Sequence, residues 1–422
     1  MSERELFSDI DWSKYRLTHF RVIALCSLLL SIAVGVSIIQ FSQARDNILP
    51  AGAPVGGDYV VFYGAALAAT EGNAVMTYDP VAFEEHLLEV GPPRETYKLT
   101  WQYPPTSFLL VLPLALLPFI PGYIAWTCGS AALYFAAMRS IGFKGIFLFA
   151  ILASPSAFHA AITGQNGFLT ATLIAIAALY PDKRPILAGL CAAILTFKPQ
   201  LGVLLPIAFI ALGCWRAFFV AAIGTVAFAG ATTGIFGLEI WTAFLGGASV
   251  VSERMTDNIM PMYKMVTPYA WATHLGLPFI LAAIFYTVYA LVAVLAVFKI
   301  WKTVPDRDLR AAALCAGVFF VAPYGYYYEL IILALPVAVL AKRGLEKGWM
   351  KWEQGTIVLM FILPMMMPGS PSKVGLGYGF ICVAIIAAGV ARRIEHDYPG
   401  TFIALQPLFS GLKRLTPAKI QP

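Results

Sequence analysis

The stretch FRVIALCSLLLSIAVGVSIIQ, residues 20–40, decides the fold. Its 21 residues carry one charge, Arg21. A helix of that length, at about 1.5 Å of rise per residue, spans the ~30 Å hydrocarbon core of a bilayer. The run is too long for the core of a signal peptide and no small-residue cleavage site follows it, so it is expected to stay as a first transmembrane anchor, with nothing removed. The rest of the chain agrees. Over 422 residues it is 59% hydrophobic and 12% charged, with a mean hydropathy of +0.75. Water-soluble domains run at about 45–50% and 25% respectively. An integral membrane protein follows, and disordered, coiled-coil, collagenous and disulfide-stapled classes are excluded. The six cysteines (Cys26, Cys128, Cys191, Cys214, Cys315, Cys382) lie within or at the ends of apolar stretches and form no CxxC pair. They behave as small hydrophobes, and no metal or redox framework is expected.

A net charge of +6 raises the question of nucleic acid, but the basic residues fall in short clusters between apolar stretches and form no patch, so no nucleic-acid partner is expected. They are topology signals. Lys14, Arg16 and Arg21 precede the first span and place the N-terminus in the cytosol. The segment from Phe41 to Tyr103 carries three basic residues against eight acidic ones, and reads as a large first external loop with structure of its own. Arg139 with Lys144, Lys183 with Arg184, Arg216, Lys299 to Arg310, Lys342 to Lys351 and Arg392 with Arg393 then alternate as cytosolic ends. The outer turns are Ser154 to Gly167, the Lys198 region, Gly237 to Pro278 (a second external loop), Pro323 to Glu329 and Met367 to Lys373. Between Pro104 and Met138 an apolar run is broken at Pro113, Pro118 and Pro121, which fits either one broken crossing or a hairpin of two. If a hairpin forms there, a later segment such as Ile146 to Ser154 must be re-entrant. The expectation is a single all-α polytopic membrane domain with about 12 transmembrane helices and both termini cytosolic. No internal repeat is evident.

Polar residues of chemical interest gather at the outer turns. In Gly56-Gly57-Asp58-Tyr59, Asp58 is either an N-cap for the helix that follows or a general base left uncrowded by two glycines. Trp101-Gln102-Tyr103-Pro104-Pro105 reads as a helix entry with aromatic residues at the lipid interface. Gly164-Gln165-Asn166-Gly167 reads as a turn, although a turn does not account for Gln165. Lys198, set between two apolar segments, must snorkel, pair or bind an anion. In Pro323-Tyr324-Gly325-Tyr326-Tyr327-Tyr328-Glu329 an aromatic belt accounts for the tyrosines. It does not account for Glu329, which precedes an apolar run and needs a polar cavity or a basic partner. His159 and His274 lack metal-ligand spacing and read as structural.

Together these stretches resemble the polytopic lipid-linked-sugar glycosyltransferases of the GT-C class, specifically family 87, which includes polyprenyl-phosphate-mannose-dependent mannosyltransferases. The resemblance rests on Gly57-Asp58 with Tyr63, on Tyr103-Pro104-Pro105 leading to Pro113-Leu114-Ala115-Leu116-Leu117-Pro118, on Gly164-Gln165-Asn166-Gly167, and on Arg184-Pro185 through Ala188-Gly189 to Lys198-Pro199-Gln200. It implies a GT-C-type fold in a bacterial inner (plasma) membrane. The implied reaction is inverting transfer of a sugar, a hexose such as mannose, from a polyprenyl-phosphate donor to a lipid or glycan hydroxyl on the external face. Asp58 inherits the role of catalytic base, Lys198 with Arg254 or Lys264 would hold the donor phosphate, and Tyr63, Tyr103, Gln165, Asn166, Gln200, Tyr326 and Glu329 would contact sugar or acceptor. The pattern departs at Tyr328-Glu329, where the family often carries Asp or His, and Glu329 is expected to orient the sugar instead. No metal or cofactor is required. The rival class is a secondary transporter or flippase using Lys198 and Glu329 as a substrate path.

Overall fold

A computed structural model describes residues 19–256, 262–366 and 378–402, with side chains placed except at His19, at 248–256 and at Met366. Lys14 and Arg16, the turn Met367 to Lys373 and both termini, on which part of the topology rests, lie outside the described residues. In chain order the principal helices are α1 (His19–Ser42), α2 (Tyr59–Thr70), α3 (Pro80–Val90), α4 (Phe119–Ser140), α5 (Ile146–Leu152), α6 (Pro155–Ile162), α7 (Gly167–Leu179), α8 (Pro185–Ile194) and α9 (Leu204–Leu212). They continue with α10 (Trp215–Phe236), α11 (Glu239–Thr256), α12 (Pro268–His274), α13 (Phe279–Thr303), α14 (Arg307–Val321), α15 (Ala334–Lys347), α16 (Glu353–Ile362) and α17 (Tyr378–Asp397).

Three helices are long and apolar enough to cross a bilayer by themselves: Phe20–Ser42, Trp215–Phe236 and Phe279–Thr303. Their large side chains point outward, with Leu28 58%, Ile38 62%, Val226 72% and Leu295 66% exposed. Surfaces this apolar are stable against lipid and not against water, so the fold is that of an all-α membrane protein. Inside lies α14, in which every residue from Leu309 to Val321 is buried, packed with α7 and α15. A second core surrounds α2, where Phe62, Phe83, Trp101 and Phe108 are almost fully enclosed. Trp101 therefore sits within protein, not at the lipid interface: its ring meets Phe108 at 5.2 Å and Phe62 at 6.1 Å. Tyr103 packs against both cores.

Several turns turn out to contain helices. Ser154 to Gly167 holds α6, started by Pro155 at its first position and by the Ser154 hydroxyl, which accepts from Ala157 N at 3.2 Å. The loop from Phe41 to Tyr103 contains α2 and α3, and α11 and α12 fall within Gly237 to Pro278. The run from Pro104 to Met138 divides at an extended Leu117-Pro118, with one-turn helical pieces before it and α4 after it. With seven residues, α5 reaches only about 10 Å along its axis, too short to cross.

Three basic clusters far apart in sequence meet through ion pairs: Lys342 with Asp308 (2.9 Å), Arg343 with Asp306, and Arg393 with Glu353. The last pair is almost wholly enclosed, and Arg393 Nη2 also donates to Gly348 O at 3.0 Å. Breaking such a pair from one side strands a buried charge at a cost of about 3–5 kcal/mol. Arg393→Met is accordingly expected to lower thermal stability in detergent steeply, and adding Glu353→Leu to recover most of the loss; a melting temperature for the single variant equal to wild type would refute this assignment.

Candidate active site

Residues separated by 62 to 131 positions in the chain converge between the two cores. Asp58 occupies the backbone N-cap position of α2, but its carboxylate caps nothing. Instead Gln165 Nε2 donates to Asp58 Oδ2 at 2.9 Å, and the Asp58 backbone N donates to Thr163 O at 2.9 Å. The capping reading of Asp58 thus fails at the side chain. Gln165 is itself oriented: the Tyr103 hydroxyl donates to its Oε1 at 3.0 Å.

These contacts require two turns to approach backbone to backbone. Gly164 has φ +58, and a Cβ there would lie 2.4 Å from Gly56 O and 2.6 Å from Tyr59 Cβ, so only glycine fits. Trp126 Nε1 donates to Gly164 O at 3.1 Å and Tyr123 OH to Ala161 O at 3.0 Å, pinning the turn from α4. On the other side Gly167 lies so close to Tyr328 O that a Cβ would stand 2.6 Å from it.

Lys198, at the start of the short helix Pro199–Gly202, neither snorkels nor stands free: its ammonium pairs with Glu329, both side chains almost fully buried. The same ammonium lies over the rings of Tyr103 (5.6 Å) and Tyr328 (5.3 Å), which adds a cation–π contribution. Glu329 thereby has the basic partner its apolar continuation demands. Its other oxygen accepts from Tyr326 N at 2.9 Å and starts the 3-10 helix Tyr327–Leu333. Tyr326 stacks on Tyr328, centroids 5.5 Å apart at 15°. Lys264 is brought in by backbone pairing, with Val266 N donating to Gly325 O at 2.8 Å and Met265 bridging to Tyr326. Among the described residues no carboxylate pairs with Lys264.

Of the remaining expected contacts, Asn166 is buried next to Gln165, with an Oδ1 that has no hydrogen-bond partner among the described residues. Tyr63 packs on Tyr59 and Phe119, and Gln200 is half-buried with no hydrogen bond to Asp58. The side chain of Arg254 lies outside the described residues. Tyr328, read from the sequence only as part of the aromatic belt and of the departure from the family pattern, stands over the Lys198 ammonium; its place beside Glu329 is the available signal. His159 bonds Pro364 O at 2.9 Å and meets Tyr327 edge-on at 5.1 Å, consistent with a structural role. Among the described residues no group of three or more His, Cys, Asp or Glu is placed so that it could hold a metal ion.

Burial pushes the Asp58 carboxyl above the ordinary carboxylate range, while the Gln165 hydrogen bond and then the charges of Lys264 and Lys198 pull it back. The outcome is a half-buried carboxylate held by a neutral amide and left with much of its basicity.

The model of glycosyltransferase family 87 matches residues 101–323, more than half of the chain. The chain belongs to glycosyltransferase family 87. No curated protein and no solved structure was found to match it. In this family 87 membrane glycosyltransferase the matched segment includes Tyr103, Gln165, Asn166, Lys198, Gln200, Arg254 and Lys264, whereas Asp58, Tyr63, Tyr326 and Glu329 lie outside it. The carboxylate is therefore contributed by a segment before the matched region and oriented by a glutamine within it.

An expected pH dependence follows from the Gln165 contact. The amide favours the ionised carboxylate, so Gln165→Leu raises the Asp58 pKa further, and a rate that needs ionised Asp58 loses activity at higher pH than wild type does as the medium is acidified. Sugar transfer measured against pH checks this, and an unmoved acid limb would contradict it.

Proposed function

We propose that this glycosyltransferase takes a hexose such as mannose from a polyprenyl-phosphate donor and transfers it, with inversion, to a lipid or glycan hydroxyl, Asp58 acting as general base. The observation that carries the reading is the Asp58 carboxylate, diverted from helix capping and held by Gln165 in a tyrosine-walled site. In the reaction the acceptor oxygen attacks the sugar's anomeric carbon from the face opposite the phosphate. The bond from that carbon to the phosphate oxygen breaks, polyprenyl phosphate departs with the electron pair, and the hydroxyl proton passes to Asp58. Phosphate is a competent leaving group, so the protein's tasks are activating the hydroxyl and steadying the departing charge.

Lys264 is assigned to the phosphate, because its charge reaches Asp58 and it is not engaged by a carboxylate among the described residues. Lys198 is read as positioning Glu329, Tyr103 and Tyr328, which orient the sugar with Tyr326. The unpaired Asn166 Oδ1 offers an acceptor to a sugar hydroxyl. Tyr63 and Gln200 complete the acceptor side. A lipid-linked donor is supported by an apolar groove between α1, α5, α15 and α16, lined by Leu25, Phe147, Leu330, Leu333, Val337 and Phe361. The charge pattern supports a GT-C-type arrangement of about 12 crossings in a bacterial inner membrane. In it the segments 41–103 and 237–278, and with them the site, face outward, and both termini are cytosolic. In the transporter reading the Lys198–Glu329 pair would be a substrate path; saturable sugar transfer by the purified protein separates the two.

Asp58→Asn is expected to lower turnover by about 10²- to 10⁴-fold, the usual contribution of a general base, while donor binding and membrane insertion persist. Near-normal turnover in that variant would sink the assignment. A charge-assisted contact to phosphate contributes about 1.5–3 kcal/mol, so Lys264→Met should weaken donor affinity by about 10- to 100-fold. Lys198→Met should act first on stability, by stranding buried Glu329, and Lys198→Met with Glu329→Leu should restore it. Titration of polyprenyl phosphate together with melting curves distinguishes the roles; donor affinity unchanged in Lys264→Met would return the phosphate to another cation.

A further inference from the structure

The motif Arg184-Pro185 through Ala188-Gly189 has no part in the site described above. Its structural effect is a close crossing of α8 and α10. A Cβ on Gly189 would stand 2.7 Å from Ala217 O and from Val220 Cβ, and one on Gly224 would stand 2.8 Å from Ala193 Cβ. Position 189 thus meets 217 and 220, and 193 meets 224, so the two helices run parallel and begin at the same end. Arg184 occupies the N-cap position of α8, and Arg216 lies in the first turn of α10.

The two arginines face one pocket, lined by Arg184, Pro185, Ile186, Leu187, Leu190 and Arg216. Its aliphatic residues are open to the surroundings, Ile186 at 49%, Leu187 at 38% and Leu190 at 45%. On α10 the neighbours of Arg216 in the chain, Trp215 and Phe219, are exposed as well. The Arg184 guanidinium rests over the Tyr180 ring at 5.7 Å, with no carboxylate paired to it among the described residues, and none pairs with Arg216. Lys183 adds a third positive charge. The neighbouring Asp182 accepts from Lys183 N at 2.9 Å and lies within coulombic reach of Arg310, while Arg307, over the same Tyr180 ring at 5.7 Å, is paired with Asp308; Lys183, Arg184 and Arg216 are left without a carboxylate partner among the described residues.

We propose that this pocket binds an anionic phospholipid, its phosphate between Arg184 and Arg216 and an acyl chain along Ile186, Leu187 and Leu190. A soluble anion would satisfy the arginines and leave the aliphatic strip uncovered; a zwitterionic lipid would cover the strip and leave the excess charge unmatched. A lipid with a net negative headgroup answers both. On the topology that puts Lys183, Arg184 and Arg216 in the cytosol, it is drawn from the cytosolic leaflet, away from sugar transfer, and the proposal stands without that reaction.

The test uses the full chain in detergent, titrated with fluorescent phosphatidylglycerol or phosphatidylcholine. A basic residue near an anionic lipid contributes ~1 kcal/mol, so Arg184→Gln and Arg216→Gln should each weaken phosphatidylglycerol binding by about 5-fold and together by about 30-fold, with phosphatidylcholine unaffected. Both side chains are exposed, and an unchanged melting curve verifies that the variants fold. Leu187→Ser with Leu190→Ser should also weaken phosphatidylglycerol binding. The proposal is overturned if the double arginine variant binds phosphatidylglycerol like wild type. It is overturned equally if inorganic phosphate competes fully for the site while the serine variants bind unchanged, since the ligand is then a soluble anion.

Discussion

The site depends on two chain turns touching through backbone alone. At Gly164 a left-handed φ and the absence of a Cβ let the turn lie against Gly56 O and Tyr59, while Asp58 N bonds to Thr163 O. With the backbones this close, a side chain as short as glutamine's reaches the Asp58 carboxylate, and Tyr103 can orient that glutamine from a third segment. Any side chain at position 164 would push the turns apart and break the sequence of contacts at its first link.

Electrostatically the arrangement keeps its charges in separate compartments. Lys198 and Glu329, both almost fully buried, neutralise one another under two tyrosine rings, which avoids the large penalty of an unmatched buried charge. Asp58 is held by a neutral amide and feels the cations only at a distance. A carboxylate locked in a direct ion pair would be a poor proton acceptor, whereas one partly desolvated and bonded to an amide retains its affinity for a proton. Burial also pushes the phenols of Tyr103 and Tyr328 upward, so both remain hydrogen-bond donors at any physiological pH.

The family match covers the scaffold and leaves the Asp58 and Glu329 carboxylates to its flanks. Residues 101–323 supply Gln165, Tyr103 and Lys198, and the segments on either side supply Asp58 and Glu329. The central region thus acts as a receptor for two acidic groups delivered from outside it. Asp58 is held by a side-chain amide, and Glu329 by an ammonium together with the backbone N of Tyr326.

Membrane residence was legible in the sequence, because burying a 21-residue apolar helix in lipid is a local matter of length and composition. So was the need of Glu329 for a partner, since a carboxylate ahead of an apolar run cannot be buried alone. The helices within the outer segments, and the position of Trp101 inside a core, were not legible: periodicity does not tell a lipid-facing aromatic residue from one facing protein. Nor could local rules say whether the Asp58 side chain caps its helix or turns to another partner, because Asp after glycine allows both. That choice rests on a glutamine 107 residues away, and the partner of Lys198 is 131 residues away. Local sequence sets the cost of leaving each group unpaired; which pairs form is decided by how the helices pack, and packing depends on contacts between segments that no single stretch of chain contains.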